Sequence, residues 1–471
     1  MNSIRFGSLL QFATILVWTI FVLTISAVYP AETAAVPIPP SPGLQSLERV
    51  DLDNGLRALV GKPQRAALFS EVLLVVRAGT DTPISRQEEI ARIAAEAFLS
   101  GRRSANAPPI GLELARIGVS PDFTVGRDVA VFRFAVPTVN TNRFLHILAD
   151  LLNRPVLPEE VWSDAVARRG QQLTEEQTDP WQHATFELTS LVWTESEKTA
   201  GQPDAQPIAS SSINGSALAL FWQQAYAPAN MVLSVWGELP VAELAQTVRH
   251  EFGRLPSRKA MPSALPAPDP VRNKVGSVRC LQQEGAVPAA LLVGAGARID
   301  NDRDFYAWQI AVHILGASYN SRLQRRLRTE SQVVYTVEAA GLPVGTKAMI
   351  LRVACQTDQV ETTRQIILEE LHHLSQQPVT QQELDLAREI LRSRLKLDAA
   401  SFRDQFYRRS LALLLPQTVR DPSGAEAILS SFTPKTLLHV LSSTMQPEEA
   451  STVVVSIHSE SLCGSSHEIK P

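Results

Sequence analysis

The sequence predicts an α+β fold, built as two duplicated domains, each a mostly antiparallel sheet with helices packed on one face. Three observations carry that prediction. The two halves of the chain repeat each other at a nearly constant offset. Each half mixes apolar runs of strand length with longer runs of helical period. The strands do not alternate one by one with helices, which argues against a doubly wound parallel sheet.

The repeat is read from four pairs of segments. "LLVVRAG" from Leu73 parallels "LLVGAGA" from Leu291, and "VFRFAVPTV" from Val131 parallels "ILRVACQTD" from Ile350. "PVLPEEV" from Pro155 parallels "PVTQQEL" from Pro378, and "PANMVLSVWGE" from Pro228 parallels "PEEASTVVVSIHSE" from Pro447. The offsets stay between 218 and 223. A period of a whole domain means tandem duplication rather than a solenoid.

Element by element, "EVLLVVRAG" and "VAVFRFAV" read as strands of the first half, and "TNRFLHILADLLN" and "PEEVWSDAVARRGQQLTEE" as helices. In the second half, Glu383 to Leu415 reads as one long helical stretch. "ARIAAEAFLSG", from Ala91 to Gly101, is an amphipathic helix whose stripe is Ile90, Ile93, Ala94, Ala97 and Phe98. Arg92 and Glu96 sit i, i+4 on another of its faces, in the less favourable order.

The division that follows is 1–29, signal peptide or membrane anchor; 30–45, Pro-rich tether; 46–254, first domain; 255–271, Pro-rich linker; 272–460, second domain; and 461–471, C-terminal tail. The first of these rests on the uncharged apolar run Phe6 to Val28 behind Arg5, which predicts an exported body with the N-terminus inside. Cys280, Cys355 and Cys463 then meet oxidising conditions, and an odd count leaves at least one thiol unpaired within the chain.

Composition narrows the chemistry. The 471 residues are 45% hydrophobic and 20% charged, with net charge −4. No basic stripe interleaved with aromatics is present, so nothing favours nucleic acid and no such partner is expected. There is no G-x-S-x-G elbow, no G-x-G-x-x-G after a strand, and no zinc knuckle. "GLPVGTK" from Gly341 has three residues between its glycines where a phosphate loop needs four. "EELHHL" places Glu369 with His372 and His373 at ligand spacing on a helix. The matching segment of the first half, "LADLLN", has no histidine, so a solvated helix face is expected.

"SRLQRRLRTESQVVYTVEA", from Ser321 to Ala339, is the most informative stretch. Leu323 and Leu327 form one apolar ridge, four arginines crowd the remainder, and a strand follows with Val333, Tyr335 and Val337 on one face. On the residues alone this is a solvated basic helix leading into a core strand. A second reading brings Arg328 and Tyr335 together at the junction, where a guanidinium and a phenol can hydrogen-bond a peptide carbonyl or a developing oxyanion.

Three motifs taken in order resemble the pitrilysin/insulinase/mitochondrial processing peptidase superfamily, the inverzincins. "LDNGLRALV" from Leu52 resembles the opening strand. "FWQQAYAPANMVLSVWGEL" from Phe221 resembles its "Y-x-P-x-N" followed by a strand ending in Gly. "SRLQRRLRTESQVVYTV" resembles its second-domain element. The likeness runs from about Leu47 to about Ile457. Such enzymes carry H-x-x-E-H on a first-domain helix, in which two His hold zinc and the Glu activates water. Counted back from Gly101, those places hold Arg92, Ala95 and Glu96, and the third ligand's place falls at Gln171 or Gln172. Arginine has no free lone pair for a metal.

The resemblance therefore implies the zinc-less, non-catalytic subunit of an exported heterodimeric metallopeptidase. It holds no cofactor of its own, and zinc is expected only in an H-x-x-E-H partner. Arg328 and Tyr335 match the family's substrate-orienting pair, and the peptide substrate would add as a strand to a sheet edge of the catalytic partner. The competing expectation is a peptidase-fold binding or scaffold protein with no proteolytic role.

Overall fold

A single long-range register explains the architecture. The computed structural model describes residues 47–63, 67–80, 88–126, 128–153, 155–192, 213–258, 276–286, 288–341, 348–416, 420 and 422–457. The apolar run Phe6 to Val28, the tether, most of the linker, "LPVGTK" and Cys463 lie outside these residues.

The strands of the first half are β1 (Glu48–Asp51), β2 (Arg57–Gly61), β3 (Phe69–Val76), β4 (Ser120–Val125), β5 (Ala130–Pro137) and β6 (Met231–Trp236). Its helices are α1 (Glu88–Ser100), α2 (Ile110–Arg116), α3 (Thr141–Asn153), α4 (Glu159–Thr178), α5 (Pro180–Val192), α6 (Gly215–Ala225) and α7 (Val241–Phe252). The second half has β7 (Val278–Gln282), β8 (Ala289–Gly296), β9 (Val334–Gly341), β10 (Ala348–Cys355) and β11 (Ser451–Ser456). Its helices are α8 (Asp302–Leu315), α9 (Val360–Gln376), α10 (Gln381–Ala400), α11 (Phe402–Leu414), α12 (Ala425–Ser431) and α13 (Pro434–Thr444).

The sheets run β1-β2-β6-β3-β5-β4 and β7-β11-β8-β10-β9. Without β1 the two orders are the same. In each, one parallel pair (β2 with β6, β7 with β11) adjoins an otherwise antiparallel sheet. This is the duplicated, mostly antiparallel α+β fold expected from the sequence.

The ladders also correct one detail of the repeat. Leu73 lies opposite Arg133, and Leu292 lies opposite Arg352. Leu73 therefore corresponds to Leu292, and the offset along these strands is 219, not the 218 obtained by matching Leu73 with Leu291. The difference matters because side chains alternate in a strand, and a one-residue slip turns every side chain to the other face. With the offset of 219, Val72, Leu74 and Val76 enter one core, and Leu291, Val293 and Ala295 enter its counterpart.

Helices of the same half cover one face of each sheet. The opposite face is covered by a helix from the other half, a feature the sequence periodicity does not reveal. Leu188 and Ala184 of α5 pack on Leu292, Ile350 and Val453 of the second sheet. Phe406 and Leu414 of α11 pack on Leu73, Val131 and Val232 of the first. The exchange is reciprocal in detail: Arg133 lies 5.7 Å from the ring centroid of Tyr407, and Arg352 lies 4.9 Å from that of Trp181.

Local chemistry sets the element ends. The α3 boundaries match the apolar period of "TNRFLHILADLLN". The stretch expected as one helix from Glu383 is two, because Ser401 takes an extended conformation (ψ 107°) and its side chain accepts from the Asp404 amide, starting α11 afresh. Between β1 and β2, Gly55 at φ +93° makes the turn, and a Cβ there would meet the Ala229 side chain at 2.9 Å.

Candidate functional site

The first place to look is α1. Its apolar stripe is buried as the period requires, and Phe98 stacks on Trp222 at 4.6 Å. The neighbouring "Y-x-P-x-N" segment is a structural joint. Asn230 donates to the Gln224 carbonyl at the end of α6, and its own carbonyl receives the Arg77 amide. Tyr226 is fully buried, and that burial pushes its phenol well above the usual range.

The face of α1 carrying Arg92, Ala95 and Glu96 turns towards α4. Ala95 is buried, and the Arg92 Nε is buried with no hydrogen-bond partner. Glu96 does not pair with Arg92, as the i, i+4 spacing suggested. It pairs with Arg168 of α4 instead. The reason is geometric: α4 lies against α1 and offers a guanidinium across the helix–helix contact, whereas the Arg-before-Glu order within one helix is weak.

One residue further on, Arg169 is buried between the two helices. It bonds Glu89 of α1 through Nε and Nη2, and Glu176 of α4 at 2.8 and 3.0 Å. It also donates to the Gln172 side chain at 3.4 Å. Burial alone would lower its pKa, but the two carboxylates outweigh this and raise it. So where the resemblance would place a divalent cation between two helices, this chain places a guanidinium. The residues present do not fit zinc: an arginine and an ion-paired glutamate stand at the places of the two histidines, and an alanine at that of the water-activating glutamate. Among the described residues no group of three His, Cys, Asp or Glu side chains is placed to hold a metal ion. "EELHHL" is likewise occupied by arginine, since Glu369 and Glu370 both bind Arg326.

The second place is the Ser321 to Ala339 element. Leu323 and Leu327 are fully buried, as the ridge predicted. Residues Gln324–Glu330 form a π-helical turn, a geometry that recurs at functional sites. Two of the four arginines between Ser321 and Ala339 are fixed. Arg322 grips Glu383 at 2.7 and 3.0 Å, and Arg326 grips Glu370 at 2.7 Å and Glu369 at 3.0 Å. Gln324 donates to the Val337 carbonyl of β9 at 2.8 Å. The turn is thus bolted to α9, α10 and β9. Arg325 makes a long, exposed pair with Glu330 at 3.6 Å. Arg328 is exposed, and among the described residues it forms no ion pair.

Tyr335 departs from the expected strand face. Val334 pairs with Cys355 and Thr336 with Ala354, so Tyr335 is the extra residue of a β-bulge. Bulges re-aim side chains. Val337 stays in the core, while Tyr335 is 54% exposed and its hydroxyl accepts from Gln356 at 3.4 Å. Between the two, Gln332 holds a positive φ of 54°, uncommon for a residue with a side chain. Arg328 and Tyr335 therefore stand exposed on either side of one strained turn, on a frame of buried leucines and ion pairs.

The arginine clasp across α1 and α4 was not visible in the sequence. Glu89 and Arg169 are 80 residues apart, and neither belongs to a local motif. The Arg168-Arg169 pair on a helix face was the available signal, and it needs the helix packing to acquire a meaning.

The fold and the two places define a class: a duplicated peptidase-like chain whose metal face is closed by ion pairs. Comparison with known proteins agrees. Residues 212–391 match the family described as "Peptidase M16 inactive domain". An "Uncharacterized zinc protease" of Rickettsia bellii is 22% identical over 332 residues, covering 69% of this chain and 77% of that protein. Among solved structures, a peptidase M16 inactive domain from Pseudomonas fluorescens superposes with TM-score 0.71 at 18% identity, over 88% of this chain and 98% of that one. The first half of the periplasmic protease PqqL from Escherichia coli superposes with TM-score 0.68 at 17% identity, over 89% and 93%. Residues 212–391 thus resemble the M16 inactive domain, and the described chain as a whole has the fold of the M16-like structures.

Proposed function

We propose that this protein is the non-catalytic subunit of an exported zinc peptidase pair. It binds and orients peptide for a homologous partner that carries H-x-x-E-H. The observation carrying this reading is the contrast between the two places. Arginine–carboxylate pairs close the metal face, while Arg328 and Tyr335 are held out to solvent by a rigid frame that nothing in core packing requires. A guanidinium and a phenol held so can donate hydrogen bonds to a scissile carbonyl, stabilising it as charge develops. Ala95 leaves the place of the water-activating glutamate without a carboxylate.

Export is part of the proposal. It is supported by the Phe6 to Val28 run, by the likeness to a periplasmic protease, and by Cys280, which is disulfide-bonded. We read the N-terminal run as a membrane anchor. Among the described residues no helix is long and apolar enough to cross a membrane.

The test is reconstitution. The chain is mixed with an H-x-x-E-H homologue from the same organism, and peptide turnover is followed. The proposal expects turnover from the pair and none from this chain alone. Turnover by the partner that is indifferent to this chain would favour a scaffold role.

A further inference from the structure

Three large apolar side chains stand exposed together at one end of the first sheet. Leu68 is 85% exposed, Phe69 49% and Val139 91%. They are held side by side, because the Thr138 amide donates to the Leu68 carbonyl at 3.0 Å and the Thr138 hydroxyl to the Ala67 carbonyl at 2.9 Å. Phe69 pairs across the ladder with Pro137. The cluster is thus a fixed feature of the β3–β5 end rather than the tip of a long loop.

The internal duplication supplies a control. With the offset of 219, Thr138-Val139-Asn140 corresponds to Thr357-Asp358-Gln359, and both triplets form the same short 3₁₀ turn. Phe69 corresponds to Pro288, a smaller side chain with no aromatic ring. The turn therefore folds with an aspartate where the first half has Val139, so folding does not explain the apolar residue.

The position of the chain's entry indicates what covers it. Leu47 packs at Gly61 and Trp236, and Trp236 pairs with Glu71, two residues from Phe69. The chain thus enters the body at the same end of the same sheet as the cluster. Upstream of it run the tether, 30–45, and the apolar segment Phe6 to Val28. Fully extended, the 16 residues 30–45 span at most on the order of 55 Å, a chain length that permits this end to meet the surface that holds the segment. Arg143, one helical turn beyond Val139, is exposed and suits a lipid phosphate.

We infer that Leu68, Phe69 and Val139 form a membrane-contact patch that seats the first-half sheet end on the bilayer to which the N-terminal segment is anchored. The inference rests on the anchoring reading above. Shallow insertion of a few large apolar side chains beside a basic one is a weak attachment that a covalent tether makes effective.

The test uses the full chain reconstituted into phosphatidylethanolamine/phosphatidylglycerol vesicles. Nitroxide labels are placed at Val139→Cys and, separately, at Asp358→Cys, and their collision with oxygen and with an aqueous nickel chelate is measured. The label at 139 is expected to show several-fold higher oxygen-to-nickel accessibility than the label at 358, and to lose that excess in the Leu68→Ser/Phe69→Ser background. A chain that floats with vesicles while the label at 139 is as nickel-accessible as that at 358 overturns this inference alone. A chain that does not float overturns the anchoring reading and the inference together. Shielding of 139 that persists in detergent and rises with protein concentration would assign the patch to a second copy and overturn the lipid assignment.

Discussion

Arg169 of α4 and Glu89 of α1 are joined by two hydrogen bonds across the helix contact that also carries Arg92 and Glu96. Glu176 completes the clasp from the other side at 2.8 Å. A guanidinium there cannot exchange or be chelated, and it holds the two helices together while supplying no Lewis acid.

Removing it should therefore destabilise the first half. Arg169→Met leaves two carboxylates facing each other around a buried gap. Because Glu176 is 39% exposed, the cost falls below that of a fully buried pair, at about 2 kcal/mol. Urea unfolding should show that loss, and Arg169→Met/Glu89→Gln/Glu176→Gln should recover most of it. Full stability of the single variant would show that the clasp is incidental. By the same argument, a chelator should leave the midpoint of the wild-type chain unchanged.

Acid should weaken the frame of the second half. Burial alone would raise the Glu383 carboxyl, but Arg322, with the Thr380 amide and hydroxyl, holds it down to about 2. A carboxylate lowered by folding stabilises the native state above its unfolded pKa of roughly 4.3, and that contribution is lost as pH falls from there towards 2. It amounts to on the order of 3 kcal/mol at most, since Glu383 shares its arginine with Glu370. Glu383→Gln should flatten this part of the stability curve; an unchanged slope between about pH 4.3 and pH 2 would contradict the assignment.

Cys355 should be silent in the native protein. It is a free, buried thiol, and burial pushes it up to about 11, with the Thr363 hydroxyl opposing and Asp358 adding to the rise. At neutral pH almost no thiolate is present. Iodoacetamide is expected to leave Cys355 unmodified until denaturant is added, as read by peptide mass. Rapid native labelling would mean that this end of β10 opens readily.

Much of the fold was legible because it rests on period and repetition. The α3 boundaries, the α1 stripe and the duplication all follow from apolar spacing. The parts that were not legible depend on contacts between distant residues. No local pattern tells that α5 and α11 cross to the opposite sheet, or that Glu96 prefers Arg168 to Arg92. The offset of 218 against 219 could be decided only by the ladder that sets Leu73 opposite Arg133. The candidate site was legible only in part. Spacing and resemblance singled out Arg328 and Tyr335, but alternation placed Tyr335 on the face of Val337, and the bulge turns it outward.

The two residues also separate function from folding. Both are exposed, so Arg328→Ala and Tyr335→Phe should each change stability by no more than about 0.5 kcal/mol. In the reconstituted pair, loss of a charged donor should lower kcat about tenfold to a hundredfold, and loss of the phenol several-fold to about tenfold. Partner binding, read by pull-down, should remain intact. Effects on KM alone would shift the role from orienting the carbonyl to holding the peptide.

The most direct measurement is peptide turnover and zinc content of this chain, of an H-x-x-E-H homologue, and of their mixture. The account predicts no stoichiometric zinc and no turnover in this chain, and turnover in the mixture that falls with Arg328→Ala. Stoichiometric zinc or intrinsic peptidase activity in the isolated chain would contradict it.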